Sequence, residues 1–139
     1  IRERLFDAVE ITPDGVLAAE VSALRDAGLS VSKAEYVRNA ARAFRDRLLV
    51  GDVRQARWGQ IAIAALTEIR GIGTWTAKMY LVFVLGRPDV FPVEDLGIRT
   101  AMAELYGFET DDRAGMCDHA ERWRPYRSYA TRYLWRAVD

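Results

Sequence analysis

Residues 74–86 limit what this chain can become more than any other stretch. Trp75, Ala77, Met79, Tyr80, Leu81, Val82, Phe83, Val84 and Leu85 leave almost no polar side on a helix drawn through them. A helix that is apolar all round is buried in a globular core or lies in a membrane. The longest unbroken apolar run, Met79 to Leu85, is seven residues, whereas a membrane span needs about 20. The segment therefore predicts a central, buried helix, stopped by Gly86-Arg87-Pro88.

The rest of the chain is organised around that helix by further helices. Residues 1–9 read as the end of one. Thr12-Pro13-Asp14 is a start signal, with a capping hydroxyl, a proline in the first turn and an acid. The helix it opens is expected to reach about Ala27, with Val16, Leu17, Val21 and Leu24 as its apolar stripe and Gly28 as its stop. Ser30 and Ser32, with Glu35, offer a capping box for a helix running to about Leu49, and Gly51 ends it. Shorter helices are expected over about 54–66, Asp95–Tyr106, Asp112–Arg122 and Pro125–Ala137, the last with Pro125 in its first turn. No stretch alternates apolar and polar residues as a half-buried strand would. The expected fold is a single all-α domain over residues 1–139, of seven or eight short helices.

Composition excludes several classes. One cysteine, Cys117, forms no internal disulfide and builds no cysteine-based zinc or iron–sulfur site; one histidine, His119, makes no histidine-rich metal site. Cys117 reads as a small packed residue, His119 as a surface helix residue, and Trp58 and Trp123 as core. No secretory signal is visible, so an intracellular protein is expected. Net charge is zero, but its distribution is uneven. Residues 104–121 hold six acids against Arg113, and 122–136 hold five arginines and no acid. Eighteen of the twenty basic residues are arginine, whose planar fork suits phosphate. Arg124 and Arg127 could reach phosphates or pair with the acidic segment.

Between two helical patterns lies Ile69-Arg70-Gly71-Ile72-Gly73-Thr74-Trp75-Thr76. Glycines on either side of an aliphatic residue permit a tight reversal with positive φ, and Thr74 can cap the next helix. Exposed amides at Gly71, Ile72, Gly73, Thr74 and Thr76, at the positive end of a helix dipole, make an anion site. A plain helix–helix turn has the same signature. No Gly-Lys-Ser/Thr follows, so this is not a Walker loop.

Thr67-Glu68-Ile69-Arg70-Gly71-Ile72-Gly73-Thr74-Trp75-Thr76-Ala77 resembles the helix-hairpin-helix of the base-excision DNA glycosylase superfamily. Phe91-Pro92-Val93-Glu94-Asp95-Leu96-Gly97-Ile98-Arg99 resembles its aspartate loop. Glu121-Arg122-Trp123-Arg124-Pro125-Tyr126-Arg127-Ser128-Tyr129-Ala130 through Trp135 is similar to the C-terminal signature of its 3-methyladenine DNA glycosylase II branch, and Gly28-Leu29-Ser30 with Lys33 and Tyr36 is a further familiar stretch. The family normally carries more chain before the equivalent of Ile1, so the resemblance implies a domain lacking its N-terminal part.

The resemblance implies hydrolysis of the N-glycosidic bond of alkylated purines in damaged duplex DNA, by a monomer. The departing base leaves positive charge on the sugar, which a nearby carboxylate stabilises, after the base has been flipped into a pocket. Asp95 fits that role. Read locally it is also a helix N-cap, and Glu94 is the neighbouring alternative. Branches that cleave the backbone carry a lysine where this chain has Trp75; a lysine there would form a Schiff base, so water is the expected nucleophile here. Lys78 lies a turn too far along to replace it. A purine alkylated at N3 or N7 is cationic and attracted to aromatic faces. Trp135 aligns with the family's pocket tryptophan, with Trp75 and Tyr126 as supporting walls. The family also implies a monovalent cation, Na+ or K+, on the main-chain carbonyls of Thr67, Ile69 and Ile72; it implies no required cofactor and no iron–sulfur cluster. A non-catalytic DNA-binding module is the rival expectation, and a bifunctional glycosylase/lyase a distant third.

Overall fold

A computed structural model describes residues 1–46 and 59–139. The described residues hold nine α-helices and no strand, and none of these helices is long and apolar enough to cross a membrane. The chain divides into two compact units. One comprises Ile1–Arg57 with Ala64–Gly73, the other Trp58–Ile63 with Thr74–Asp139. The start of the helix expected from residue 54, the stop at Gly51 and the core position of Trp58 lie outside the described residues.

In the first unit, α1 (Arg2–Ala8), α2 (Pro13–Ala18), α3 (Val21–Asp26) and α4 (Val31–Arg45) surround Val9, Val16, Leu24, Ala34 and Ala41. Thr12 Oγ1 accepts the Gly15 N–H at 3.0 Å and Ser30 Oγ accepts the Lys33 N–H at 3.2 Å. Two of the expected starts are thus built by local caps; Ser30, not Ser32, caps α4. The alanines Ala34 and Ala41 sit two turns apart on α4, and their small side chains admit the larger ones facing them.

The single helix expected over 12–27 is instead two. Ala19 and Glu20 are both extended, with ψ of 141° and 144°. The reason is a long-range contact. Arg38 Nη1, on α4, donates to the carbonyls of Ala19 at 2.9 Å and Leu17 at 3.4 Å. A guanidinium thereby satisfies carbonyls that a continuous helix would have bonded itself. The break also turns Val21 outward, 45% exposed rather than in the stripe. α4 ends earlier than expected, at Arg45 with Asp46 as its C-cap.

α5 (Gly59–Thr67) passes from the second unit into the first. The second unit then contains α6 (Thr74–Phe83), α7 (Leu96–Tyr106), α8 (Arg113–Ala120), a 3₁₀ turn over Glu121–Trp123, and α9 (Arg127–Val138). α7 packs along α9. Phe91, Val93, Ile98, Ala101, Met102, Met116, Ala120 and Leu134 form the core there, with Cys117 packed at its edge.

Two expectations fail in this unit, and a third holds only in part. α6 is not buried all round: Ala77, Leu81 and Val82 are buried, but Trp75 and Phe83 are 47% and 58% exposed. These outward aromatics are held by other contacts: Trp75 bonds Asp95 and Phe83 stacks on Trp135. α9 begins at Arg127 rather than Pro125, because Asp89 caps it from 38 residues away, accepting the Arg127 N–H at 3.2 Å. His119 is a helix residue only half at the surface. Its ring lies 4.3 Å from Tyr106, 5.2 Å from Trp123 and 5.5 Å from Phe108, and Nε2 is buried without a partner among the described residues. Desolvation, helped by the Arg122 charge, holds its imidazole below the ordinary value.

Candidate active site

The segment that delivers Asp95 is tied down before it arrives. Ser128 Oγ accepts the Val90 N–H at 2.9 Å and donates to the Arg87 carbonyl at 2.6 Å, while the Thr131 hydroxyl donates to the Val90 carbonyl at 3.3 Å. Lys78 reaches from α6 to the Phe91 carbonyl at 3.1 Å and to both Glu94 oxygens at 3.0 Å. Both members of that ion pair are largely shielded. Sequence leaves Glu94 open as the catalytic alternative; in the structure its charge is matched by Lys78.

Asp95 is different, since no cation pairs with it among the described residues. It N-caps α7, with Oδ2 accepting the Ile98 N–H at 3.1 Å. Trp75 Nε1 donates to Oδ1 at 2.8 Å, and Trp135 Nε1 donates to Oδ2 at 2.8 Å. Capping uses one bond to Oδ2 and leaves the carboxylate accepting both indoles. Partial burial works against the charged form. It is outweighed by hydrogen bonds from Trp135, Trp75 and the amides of Ile98 and Gly97, and the carboxyl is held below its ordinary value. The result is an ionised, half-exposed carboxylate whose charge is oriented by neutral donors only.

Two residues that sequence alone does not single out complete this arrangement. A Cβ at Gly97 would lie 3.1 Å from Asp95 Oδ2 and 3.3 Å from Trp135 Cδ1, so the bare glycine leaves room for carboxylate and indole together. Phe83 stacks on Trp135 at 5.5 Å, and the Arg132 guanidinium lies 5.5 Å from the Phe83 ring centre. Gly97 belongs to the quoted aspartate loop, and its spacing two residues after Asp95 is the only signal that could have found it.

Among the described residues Tyr126 makes no hydrogen bond to the Asp95 carboxylate. It stands exposed before α9 with its ring 6.0 Å from Tyr129, and nine residues of mostly helical rise, about 13 Å, separate it from Trp135. Arg124 and Arg127 are engaged within the protein. Arg127 Nε donates to Asp89 at 2.7 Å and Arg124 Nε to Glu121 at 2.6 Å, with cross-pairs Arg124–Asp89 at 3.4 Å and Arg127–Glu121 at 3.3 Å. Glu121 comes from the acidic segment; Asp89 does not.

The bend itself lies in the first unit. Ile72 N–H closes on the Ile69 carbonyl at 3.0 Å, and Gly71 has φ +103°. Gly73 has no such φ, and a Cβ there would meet nothing. Among the described residues nothing requires glycine at 73. Thr74 opens α6, with Trp75 as its second residue and Thr76 in the same exposed first turn. Among the described residues no three His, Cys, Asp or Glu side chains converge to hold a metal.

A family model described as HhH-GPD superfamily base excision DNA repair protein matches residues 1–125. The chain belongs to this superfamily. YfjP of Bacillus subtilis is 34% identical over 130 residues, covering 91% of this chain and 45% of its own length. A crystal structure of a DNA-3-methyladenine glycosidase from Bacillus halodurans superposes with a TM-score of 0.84 at 33% identity, over 99% of this chain and 65% of that one. The Schizosaccharomyces pombe 3-methyladenine DNA glycosylase in complex with abasic DNA matches with a TM-score of 0.82 at 29% identity, over 96% of this chain and 69% of that one. The chain thus spans about half to two thirds of the length of these HhH-GPD relatives.

Proposed function

We propose that this HhH-GPD chain releases alkylated purines of the 3-methyladenine kind from double-stranded DNA by hydrolysis, with Asp95 as its catalytic residue, and that it works as a monomer. The observation that carries the reading is the Asp95 carboxylate: ionised, unpaired with any cation among the described residues, and gripped on both oxygens by indole N–H groups. As the glycosidic bond breaks, its electron pair leaves with the base, and the sugar becomes an oxocarbenium-like cation. A fixed carboxylate lowers the energy of that state without having to reorganise, and it can orient the water that then adds to the anomeric carbon. A base that already carries positive charge leaves as a neutral molecule, so little acid assistance is needed. Trp75 and Trp135 offer π-faces to such a base, while their N–H edges hold the carboxylate.

The 71–76 segment is the strand anchor in this reading. In the first unit the Gly71 and Gly73 amides would face a phosphate, and the empty space over Gly73 supports close approach; the Ile72 N–H is already taken by the Ile69 carbonyl, and Thr74 and Thr76 lie in the exposed first turn of α6 in the second unit. Arg124 and Arg127 could reach a phosphate only by giving up Asp89 and Glu121, so they stiffen the start of α9 instead. The carbonyls of Thr67, Ile69 and Ile72 suit Na+ or K+. They are neutral oxygens, and Ile69, which accepts the Ile72 N–H, keeps a second lone pair. A bound cation there would supply positive charge beneath the turn. Trp75 provides no amine, which supports hydrolysis without a lyase step.

The test is Asp95→Asn. Asparagine also caps helices, so the variant should keep its helical circular dichroism and its binding to duplex carrying an abasic-site analogue. Release of bases from methylated DNA should fall by at least about 100-fold, as removal of a preorganised electrostatic group does elsewhere. Undiminished release would end the assignment, and a wild-type chain that binds but frees no base would be a DNA-binding module instead.

A further inference from the structure

Resting on that reading, we propose that Tyr36 and Asn39 of α4 are positioning residues for the phosphate-holding turn: they fix the Arg70–Gly71 peptide with the Gly71 N–H directed away from α4. Ile69 to Ile72 is a four-residue turn closed at 3.0 Å, and its third residue, Gly71, has φ +103°. A left-handed third residue marks a type II turn, which differs from type I by a flip of the central peptide, here Arg70–Gly71. In a trans peptide C=O and N–H point opposite ways, so whatever fixes the Arg70 carbonyl also aims the Gly71 N–H. Asn39 Nδ2 donates to that carbonyl at 3.3 Å. The orientation of the Asn39 amide is set in turn, because Arg42 Nη1 donates to its Oδ1 at 2.9 Å and leaves Nδ2 to face the turn.

Tyr36 adds a second constraint. A Cβ on residue 71 would fall on the Tyr36 ring, so the turn is seated directly against that ring. Among the described residues the Gly71 N–H meets no acceptor. One face of α4, at 36 and 39, thus seats the turn and sets which way its peptide faces. The Glu35–Arg70 ion pair at 3.2 Å is exposed and contributes little.

The experiment compares Asn39→Asp, Asn39→Ala, Tyr36→Ala and Tyr36→Phe with wild type. Three quantities are read: affinity for duplex carrying an abasic-site analogue, KM and kcat on methylated duplex, and the Gly71 amide resonance. Asn39→Asp puts an acceptor against the Arg70 carbonyl. It should weaken binding roughly tenfold, the loss of one hydrogen bond to a charged group, and raise KM with kcat unchanged at saturation. Its Gly71 resonance should move in the DNA-free protein and stop responding to duplex. Asn39→Ala should do the same more weakly and covers the case in which the aspartate unfolds α4. Tyr36→Phe should behave as wild type, and Tyr36→Ala as Asn39→Asp. A folded Asn39→Asp with wild-type affinity and an unmoved Gly71 resonance would overturn the proposal. Failure of the wild type to bind any duplex would instead overturn the DNA reading. The DNA-free Gly71 resonance would still report whether Asn39 orients the peptide.

Discussion

Each oxygen of Asp95 accepts an indole N–H, and Oδ2 accepts an α7 amide as well. Removing one donor leaves the carboxylate in place but weakens its hold on the charged form. Trp135→Phe keeps a ring against Phe83 while deleting the 2.8 Å bond. Because the donors depress the Asp95 pKa, their loss raises it, and the acid limb of the pH–rate profile should move to higher pH. Wild-type stability should respond in the matching sense. What the depressed pKa contributes is complete above the ordinary value of 3.8 and disappears as pH falls through the lower value Asp95 has in the fold. A Trp135→Phe profile whose acid limb coincides with wild type would show that the indole does not tune the carboxylate. The cap is legible locally, since Asp95 and Ile98 are three residues apart, and the resemblance points to Asp95, Trp75 and Trp135, but not to the bonds that join them. The indoles arrive from 20 and 40 residues away, and no local pattern encodes that a tryptophan will turn its N–H edge to an acid.

Helix boundaries divide in the same way. Thr12, Ser30, Asp95 and Asp112 each bond an amide three residues on, and the starts they mark can be read directly from the chain. At two boundaries that depart from expectation a distant side chain has intervened: Arg38 at the α2–α3 break and Asp89 at the start of α9. The uniform apolarity of 74–86 misleads for another reason. Hydropathy does not distinguish an aromatic that fills a core from one that walls a site. The Arg38 account has a direct consequence. Arg38→Leu keeps the bulk of the stem but leaves the Ala19 and Leu17 carbonyls without their donor. It should cost about 1.5–3 kcal/mol, the range for hydrogen bonds to a charged group. Urea titration should show a lower midpoint with an unchanged slope. A loss below about 0.5 kcal/mol would mean that Ala19-Glu20 breaks the helix unaided.

For the molecule as a whole the telling number is its net charge of zero, with twenty basic and twenty acidic residues. Several arginines face acids of the same chain: Arg45 with Asp46, Arg70 with Glu35, and Arg124 and Arg127 with Asp89 and Glu121. Long-range attraction to a polyanion is therefore weak, and the proposed anchor is made of amides, which carry no counter-charge. Affinity for duplex falls with salt at about 0.9 log units per phosphate neutralised by lysine or arginine. If amides carry most of the contact, the slope of log K against log salt should be shallow, about −2. That corresponds to roughly 15-fold weaker binding between 50 and 200 mM salt. Fluorescence anisotropy with a labelled duplex across that range would measure it. A slope steeper than about −5 would require several unpaired arginines to meet phosphates at once, and the strand would then be held by a basic face rather than by the turn at Gly71–Gly73.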